Sequence, residues 1–426
     1  MSAAAAPRVR FPALRHRDFR TLWLGMLLAS GTQAFQYYAQ IWLIYSLTHS
    51  ALVLGLLGAT RGVAMLLFGL YGGALADRMD RRRLLMATST MTLLVSATLG
   101  TMAVIGVVEL WQAFVLIFIA AATASIDAPV RQALIPDLVP REHIPNAVAL
   151  TMAAQMGTFA LTPALAGFVI DALGPGGAYA VSVAGNVIVI VALALLRYRG
   201  APTEARRYTV LNNIRQGVRY VRRDGTVLRI ILVMLTMGAF GTAIFNGLIA
   251  KWATEILDLR PGQYGVLASM WGLGTLIVSY SLASTNVLDH KGRIFIVSSI
   301  AFGLSFMAFG FARWLPLVGL AYMANGMAMA GSNVSSIAIV QSIVPNDVRG
   351  RVMSLYGLNQ SIAQLNGITL GAVAQLMGMA FLLPATTTLC TVVVAMLVLS
   401  APALRRLDAT PAVEPAAAPP AAAGSG

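Results

Sequence analysis

Long apolar runs, separated by short polar or charged stretches, dominate the pattern of this chain. A bilayer core about 30 Å thick needs roughly 20 apolar residues for each helical crossing, and twelve runs are of about that length. Because lipid cannot hydrogen-bond a backbone, each run is predicted to be a helix. The predicted spans are 19–45, 51–75, 84–108, 110–126, 147–170, 178–196, 227–253, 264–283, 294–312, 315–340, 352–378 and 381–400.

The longest polar stretch between spans divides them into two groups of six. In it, Leu211, Ile214, Val218 and Val221 recur at helical spacing with arginines between them, which predicts an amphipathic helix lying on the inner membrane face. The Ala/Pro-rich C-terminus predicts a disordered tail. The expected organisation is a tail over 1–18, a six-helix bundle over 19–196, a linker over 197–226, a second six-helix bundle over 227–404 and a tail over 405–426.

Composition agrees with an all-α integral membrane protein. Hydrophobic residues make up 58% of the 426 residues, charged residues make up 11%, and the mean hydropathy is +0.76. A soluble core could not bury that much apolar surface. The single cysteine, Cys390, lies inside a predicted span, which excludes a disulfide framework and a thiolate metal cluster.

The positive charge has a one-sided distribution. The formal net charge is +14, but only Arg260 and Arg313 fall in predicted external loops, and Arg61 and Lys251 fall within spans. The other lysines and arginines lie on the side of the N-terminus, which the positive-inside rule assigns to the cytoplasm. We therefore predict a multi-pass protein of the bacterial inner membrane with both termini cytoplasmic. The basicity indicates contact with anionic lipid and no nucleic-acid partner.

Two short motifs recur in the second half of the chain. Residues 77–81 (Asp-x-x-Asp-Arg) match residues 289–293 (Asp-x-x-Gly-Arg) at an offset of 212. The Val-Pro pairs at 139–140 and 344–345 match at an offset of 205, which also places Gln155 on Gln360. Two parallel six-span repeats are typical of transporters with a substrate site between the halves near the midplane.

The charged loop after the second span carries a family resemblance. Residues 73–82, GALADRMDRR, resemble the signature between the second and third helices of the major facilitator superfamily, except that Asp80 stands where the superfamily prefers glycine. Residues 14–25, 126–150 and 343–357 resemble the branch of enterobactin exporters and macrolide-efflux-like proteins. The resemblance runs from about residue 11 to residue 405 and implies the major facilitator fold.

A carboxylate at the inner end of span 2 can meet the free N–H groups at the start of another helix. The resemblance implies that the partner is span 11, near Arg351, with Asp77 as a latch held by Arg81 and Arg131 in the state closed to the cytoplasm. The alternative, that nearby arginines only anchor the topology, stays open for Arg82 and Arg83. The predicted gating residues are Asp77, Arg78, Arg81, Arg131, Asp289 and Arg293.

Arg61 is the one charge predicted deep in the membrane core. It lies ten residues into span 2, about 15 Å from the outer end of that helix. A charge there costs at least ~2.5 kcal/mol and usually faces a cavity or a partner. No other span carries an acid at that depth, so the partner is a substrate anion, a backbone carbonyl or a polar side chain such as Gln33.

Polar stripes mark spans 1 and 11. Four polar residues share one face of span 1, and four share one face of span 11. Such stripes face protein or water, so they indicate either a substrate cavity or hydrogen bonding between helices. The predicted cavity residues are Gln33, Gln36, Tyr37, Gln40, Arg61, Gln155, Pro163, Asn246, Tyr356, Asn359 and Gln360.

Span 5 is similar to the Gly-Pro motif that marks exporters of the superfamily, with Thr162 and Ala166 in place of the usual glycines. Pro163 is expected to kink this helix because it removes one backbone hydrogen bond.

Two charge pairs stand at a spacing of four residues. Lys251 and Glu255 are expected to form a surface salt bridge at the external mouth, with a gate as the alternative. Asp127 and Arg131 are expected to anchor the inner end of span 4.

Catalytic chemistry has no support in the sequence. The four histidines are scattered, and neither metal-ligand spacing nor a phosphate-binding glycine loop occurs. We therefore expect no enzyme activity, cofactor or metal, and transport that is driven by a gradient.

The leading hypothesis is a monomeric secondary exporter of small amphipathic, drug-like or siderophore-like molecules, working by alternating access. The resemblance implies proton antiport, although no span holds a central carboxylate, which leaves Asp77, Asp127 or an arginine-linked scheme as carriers. An importer of the same fold and a transport-incompetent membrane sensor are the alternatives.

Overall fold

The computed structural model describes residues 11–198, 210–284 and 290–400. Within these ranges the description does not include the side chains of 70, 71, 73, 74, 76–78, 210–214, 246, 283, 284, 347, 354 and 356–358. Every regular element in the described ranges is a helix. The predicted tails over 1–18 and 405–426 lie wholly or largely outside these ranges.

Fourteen α-helices occur in the described residues. The first five are α1 (Arg17–Thr48), α2 (Ala51–Arg78), α3 (Arg81–Ile105), α4 (Leu110–Leu138) and α5 (Ile144–Leu195). A linker helix, α6 (Val210–Arg223), follows. The remaining helices are α7 (Gly225–Met237), α8 (Ile249–Leu257), α9 (Pro261–Ser284), α10 (Lys291–Phe311), α11 (Leu315–Ile343), α12 (Asn346–Leu365), α13 (Gly367–Met377) and α14 (Met379–Leu399).

Helix α5 covers the two spans predicted at 147–170 and 178–196. It holds 52 residues and divides at Gly174, whose φ of 69° is readily adopted by glycine. The dihedral angles at Pro163 stay helical, so the break falls at Gly174 and not at the proline.

The helices pack in two sets. Helices α1–α5, the N-terminal set, pack on one another, with α1 and α3 against α5 and α2 against α4. Helices α7–α14, the C-terminal set, pack with α9 and α10 against α11 and with α14 against α7 and α10. We call the end that holds His49 and Asp171 the outer end, following the orientation that the charges predict.

Eight helical segments in the described ranges are long and apolar enough to cross a membrane. One of them, Arg141–Leu195, has 55 residues, and its division at Gly174 leaves enough length for two crossings. Helices α1 and α11 carry polar residues in mid-helix, and α12 is separated from α13 at Asn366. The count of twelve spans therefore stays a prediction.

The two sets approach most closely in their outer halves. Gly55 on α2 lies against the backbone of Gly367 and Gly371, and a β-carbon at position 55 would overlap the Gly367 carbonyl. On the other side of the molecule, Gly265 on α9 lies equally close to the Pro163 backbone of α5. Small residues of this kind let membrane helices pack backbone to backbone.

Two described glycines closer to the inner ends lack a contact of this kind. A β-carbon at Gly69 on α2, or at Gly157 on α5, would meet no atom within 4 Å. In this region α6 packs on α12, with Gly217 against the backbone of Arg351. Among the residues whose side chains the structure describes, the backbone-to-backbone contacts between the two sets therefore lie in their outer halves.

Candidate functional site

Arg61 lies in the middle of α2 and is 8% exposed. Its Nη2 donates to Oε1 of Gln40 on α1, and its guanidinium carbon lies 4.1 Å from the ring centroid of Tyr37. Its Nη1 has no hydrogen-bond partner among the described residues. The ion pairs of the described side chains do not include Arg61, so this buried cation has one free donor edge.

The polar stripe of α1 runs from an exposed to a buried end. Gln33, which is nearest the inner end, is exposed, Tyr37 is half-buried, and Gln36 and Gln40 are buried. The Gln36 Nε2 has no partner in the described residues. A polar side chain exposed at this depth faces water and not lipid, so the stripe leads from a water-accessible surface to Arg61.

Aromatic side chains cover this stripe on the outer side. The Tyr264 ring on α9 meets two rings of α1 edge to face, Trp42 at 5.9 Å and Tyr38 at 6.3 Å. Trp42 also meets Tyr45 at 5.8 Å. Edge-to-face contacts of this kind stabilise close aromatic packing. The cluster joins the two sets and separates Arg61 from the outer end.

Buried polar atoms without a described partner also occur on α12 and α9. The Asn359 Nδ2 donates to the Met234 carbonyl at 3.2 Å, whereas its Oδ1 has no described partner. Gln364 Oε1 and Trp271 Nε1 are also buried without a described partner, and Gln360 is exposed. Buried polar atoms are nearly always hydrogen-bonded, so each of these atoms can take a water molecule or a ligand as its partner.

Four other predicted cavity residues fall elsewhere or have side chains outside the description. Pro163 is buried where α5 packs on α9, and its carbonyl contacts Gly265. Gln155 is half-buried on α5. The side chains of Asn246 and Tyr356 lie outside the described part of the structure.

Two helices that the sequence predicts as continuous are interrupted. The predicted span 227–253 contains two π-helical turns, Gly238–Thr242 and Ile244–Leu248, between α7 and α8. The predicted span 352–378 is divided at Asn366, whose Nδ2 donates to the Ala239 carbonyl at 2.8 Å within the first π turn. π turns inside α-helices are frequent at functional sites. The signal in the sequence was the group Gly238, Gly241 and Gly247.

The inner end of the N-terminal set is held by arginines. Arg81 Nη1 donates to Oδ2 of Asp137 at 2.6 Å and to the Ala133 carbonyl at 2.8 Å. The Tyr198 hydroxyl donates to the same carboxylate oxygen at 2.6 Å. Burial and the adjacent Asp137 raise the pKa of Tyr198 to about 12, so the phenol remains a donor at neutral pH.

Asp80, which stands where the superfamily prefers glycine, caps a helix. It is the N-cap of α3, and its Oδ1 accepts from the backbone N–H groups of Arg82 and Arg83. The Arg82 side chain donates to the carbonyls of Leu193 and Ala194 at the end of α5. Arg82 therefore ties two helix ends together as well as adding positive charge.

A buried ion pair occupies the inner half of α4. Arg131 pairs with Asp127, and the Thr88 hydroxyl donates to Asp127 at 2.8 Å. Both charged residues are less than 10% exposed. The pair ties α4 to α3, which fits the anchoring that the spacing predicts.

The predicted latch at Asp77 stays a prediction. The side chains of Asp77 and Arg78 lie outside the described part of the structure, and Asp289 lies outside the described residues. Arg293 is exposed in the first turn of α10.

Lys251 differs from its expected surface position. It pairs with Glu255, but it is only 9% exposed, and its Nζ also donates to the His49 carbonyl at 2.6 Å. The expectation of a surface pair was wrong because α8 lies against the end of α1.

Comparison with known proteins places this architecture in a family. The family described as "Transmembrane secretion effector", within the major facilitator superfamily, matches residues 9–423. The chain belongs to the major facilitator superfamily. As a member it is a membrane transporter and not an enzyme.

This transporter has curated relatives over most of its length. Macrolide efflux protein A of Streptococcus pyogenes is 23% identical over 402 residues, which cover 92% of this chain and 97% of the relative. The staphyloferrin A transporter of Staphylococcus aureus is 22% identical over 83% of this chain and 89% of its own. The enterobactin exporter EntS of Escherichia coli is 25% identical over 80% and 81%.

Solved structures share the transporter's fold. A peptide transporter POT in complex with sulfate superposes with a TM-score of 0.73 over 92% of this chain and 95% of that chain, at 12% identity. A bacterial homologue of the human lysosomal transporter Spinster, inward-facing and unoccupied, gives a TM-score of 0.67 over 92% and 97%, also at 12% identity. At these identities the likeness concerns the fold alone.

Proposed function

We propose that this transporter exports small amphipathic molecules, drug-like or siderophore-like, by alternating access across the bacterial inner membrane. The proposal rests on the arrangement of the two sets. Their outer halves pack closely on each other, while polar side chains such as Gln33 and Gln360 are exposed on the inner side. A substrate can enter such an arrangement from the cytoplasm. The efflux and siderophore proteins among the relatives support export as the direction.

The N-terminal and C-terminal sets are, in this proposal, the two six-span bundles over 19–196 and 227–404. Both termini and the linker over 197–226 are cytoplasmic. Helix α6 supports this placement because Arg215, Arg219, Arg222 and Arg223 are all exposed, where they can meet anionic lipid headgroups. The proposed unit is a monomer.

The proposed substrate cavity lies between α1, α2 and α12. Gln33 and Gln360 line its open part, and Gln36, Gln40 and Arg61 form its closed end below the aromatic cluster. Gln155, Tyr37, Asn359 and the side chains of Asn246 and Tyr356 complete the proposed lining. The free Nη1 of Arg61 favours substrates with an acidic group, because a paired charge in a dry site is more stable than a single one.

The inner gate is proposed to close through Asp77. When the inner ends approach, its carboxylate meets the start of α12, where the helix dipole favours negative charge. Arg78 and Arg81 flank it, and Asp289 and Arg293 are the repeat equivalents. In the open state Arg81 is held by Asp137.

Proton antiport is the proposed source of energy. The proposed proton carriers are Asp77, Asp127 or an arginine-linked scheme, and of these Asp127 is 4% exposed and pairs with Arg131 in the inner half of the N-terminal set.

The test compares the small molecules inside and outside cells that express the wild type or Asp77→Asn at equal levels. Compounds shifted outward by the wild type alone establish export and identify the substrate class. Accumulation inside instead indicates import. If a panel of siderophores and hydrophobic drugs shows no shift in either direction, the exporter proposal fails in favour of a membrane sensor.

A further inference from the structure

Among the described residues, three sites at the outer end join a side chain of one set to the end of a helix of the other. The first involves Asp171, near the middle of α5. Its Oδ2 accepts from the backbone N–H of Gly262, in the first turn of α9, at 2.9 Å. A carboxylate is favourable there because the helix dipole is positive at an N-terminus.

The second contact is the mirror of the first. Gln375 on α13 places its Oε1 3.1 Å from the backbone N–H of Ala51, the first residue of α2. The same oxygen accepts from the Ser50 hydroxyl at 3.1 Å. Here a residue of the C-terminal set caps a helix of the N-terminal set, whereas Asp171 does the reverse.

The third contact uses the opposite helix polarity. The Lys251 ammonium donates to the carbonyl of His49, the C-cap of α1. A cation is favourable at this end because the dipole is negative at a helix C-terminus. Glu255 holds the ammonium in place from within α8.

The first two contacts are related by the internal repeat. Asp171 and Gln375, and likewise Ala51 and Gly262, are separated by the offsets of the repeated motifs to within about one residue. Each half of the chain thus carries one cap and one capped helix, exchanged with the other half. These two capping contacts can form only when the outer ends of the two sets meet.

We propose that Asp171, Gln375 and Lys251 are the outer latches of this transporter, and that opening to the outside requires all three contacts to break. The inference goes beyond the proposed function, because it holds for whatever molecule is carried and in whichever direction. The residues position the helix ends and do not touch substrate.

The experiment measures how often the outer end opens. In the full-length chain with Cys390→Ser, a cysteine replaces Ala268, which is 6% exposed on α9. The purified protein in lipid nanodiscs is treated with a charged thiol reagent, and the modification rate reports the open fraction. Asp171→Ala should raise the rate by about tenfold, the equivalent of one charge-assisted hydrogen bond, and Gln375→Ala should multiply that effect.

Two variants serve as matched controls. Asp171→Asn keeps an acceptor oxygen and should raise the rate less than Asp171→Ala. Gln112→Ala removes an amide cap of the same kind, since Gln112 accepts from the Glu109 backbone N–H at 3.0 Å. That cap lies within the N-terminal set, so its loss should leave the rate unchanged.

A second thiol separates opening from unfolding. Ala147, at the inner end of α5, is 0% exposed, and a cysteine there should keep its rate in the latch variants. The proposal is overturned if the Asp171→Ala/Gln375→Ala double variant keeps the parent rate at position 268. It is equally overturned if positions 268 and 147 accelerate alike, because the contacts then contribute only to general stability.

Discussion

At the scale of single residues, the two edges of the Arg61 guanidinium have different surroundings. Nη2 is bound to Gln40, and Nη1 has no described partner. The planar fork of arginine binds carboxylates through two parallel hydrogen bonds, a geometry that lysine cannot reproduce. Arg61 therefore suits an acidic substrate group as its second partner.

We expect Arg61→Gln to slow the export of acidic compounds by at least about tenfold, the loss of one charge-assisted hydrogen bond. Neutral compounds should be exported at the wild-type rate. Arg61→Lys should give an intermediate result for acids because it keeps the charge without the fork. Initial rates in inside-out vesicles measure both classes, with Arg260→Gln in an outer loop as the control. Equal losses for acidic and neutral compounds would contradict anion recognition.

Asp80 offers a test of helix capping. As N-cap of α3 it accepts two backbone N–H groups, and replacing such a residue by alanine costs about 1 kcal/mol. Replacement by glycine costs only a few tenths of a kcal/mol. The thermal midpoint should therefore fall in the order Asp80→Asn, Asp80→Gly, Asp80→Ala, with the first close to wild type. A higher midpoint for Asp80→Ala than for Asp80→Gly would be inconsistent with the cap.

The sequence located Arg61 but left its partner open, and the structure shows Gln40 as one partner. Periodicity places Gln33, Gln36 and Gln40 on one face of α1, yet it does not fix their depth relative to another helix. In the structure α1 continues to Thr48, so Gln40 lies at nearly the depth of Arg61 and Gln33 lies closer to the inner end. The predicted exposure of Lys251 was wrong for a similar reason: its burial depends on α1, a helix distant in sequence.

At the scale of helices, glycine determines where the sets can meet. Gly55 contacts the Gly367 backbone, whereas Gly69 on the same helix faces open space. Alanine is the better helix former by up to about 1 kcal/mol. Alanine substitutions at Gly55 and Gly69 can therefore distinguish the effect of helix propensity from the effect of packing between the sets.

We expect Gly69→Ala to keep or raise the thermal midpoint in nanodiscs. Gly55→Ala should lower it, because the new β-carbon would overlap the Gly367 carbonyl. Gly55→Ala should also speed modification of a cysteine at position 268, since the outer halves can no longer close fully. Identical midpoints and rates for the two variants would show that α2 and α13 do not pack this closely.

Hydropathy predicted where helices lie but not where they break. The π turns between α7 and α8 keep an apolar composition, so the pattern of the predicted span 227–253 is unchanged by them. What stabilises them includes the Asn366 amide on the Ala239 carbonyl. That contact joins residues more than 120 positions apart, which local patterning does not record.

At the scale of the molecule, alternating access requires the outer ends to separate in each cycle. The side-chain oxygens of Ser50 and Gln375 lie 3.1 Å apart, so the two thiols of Ser50→Cys/Gln375→Cys can be joined by a short bifunctional reagent that forms reducible disulfides with both. We expect this cross-link to stop transport and reduction to restore it. The control joins Ser96 and Ser182, whose hydroxyls are 3.5 Å apart within the N-terminal set. Transport that continues with positions 50 and 375 joined would exclude separation of the outer ends.

The class of the molecule was predictable, and its conformation was not. Apolar runs, the one-sided arginines and the 73–82 motif are local features, and they indicated a major facilitator transporter. Which ends of the two sets touch depends on contacts such as Gly55 with Gly367 and Asp171 with Gly262. The same spans exist in every state of the cycle, so no pattern within them selects one.

The interrupted helices have a mechanical consequence. By the internal repeat, α7–α8 corresponds to α1 and α12–α13 corresponds to the first half of α5. In the first copy both helices are continuous, whereas in the second both are jointed at Gly238–Leu248 and Asn366. Interrupted helices bend more easily than continuous ones, so we expect the C-terminal copy to be the more flexible of the two. We expect helices of the C-terminal copy to bend during the transport cycle, while in the N-terminal copy Arg61 keeps its position relative to Gln40.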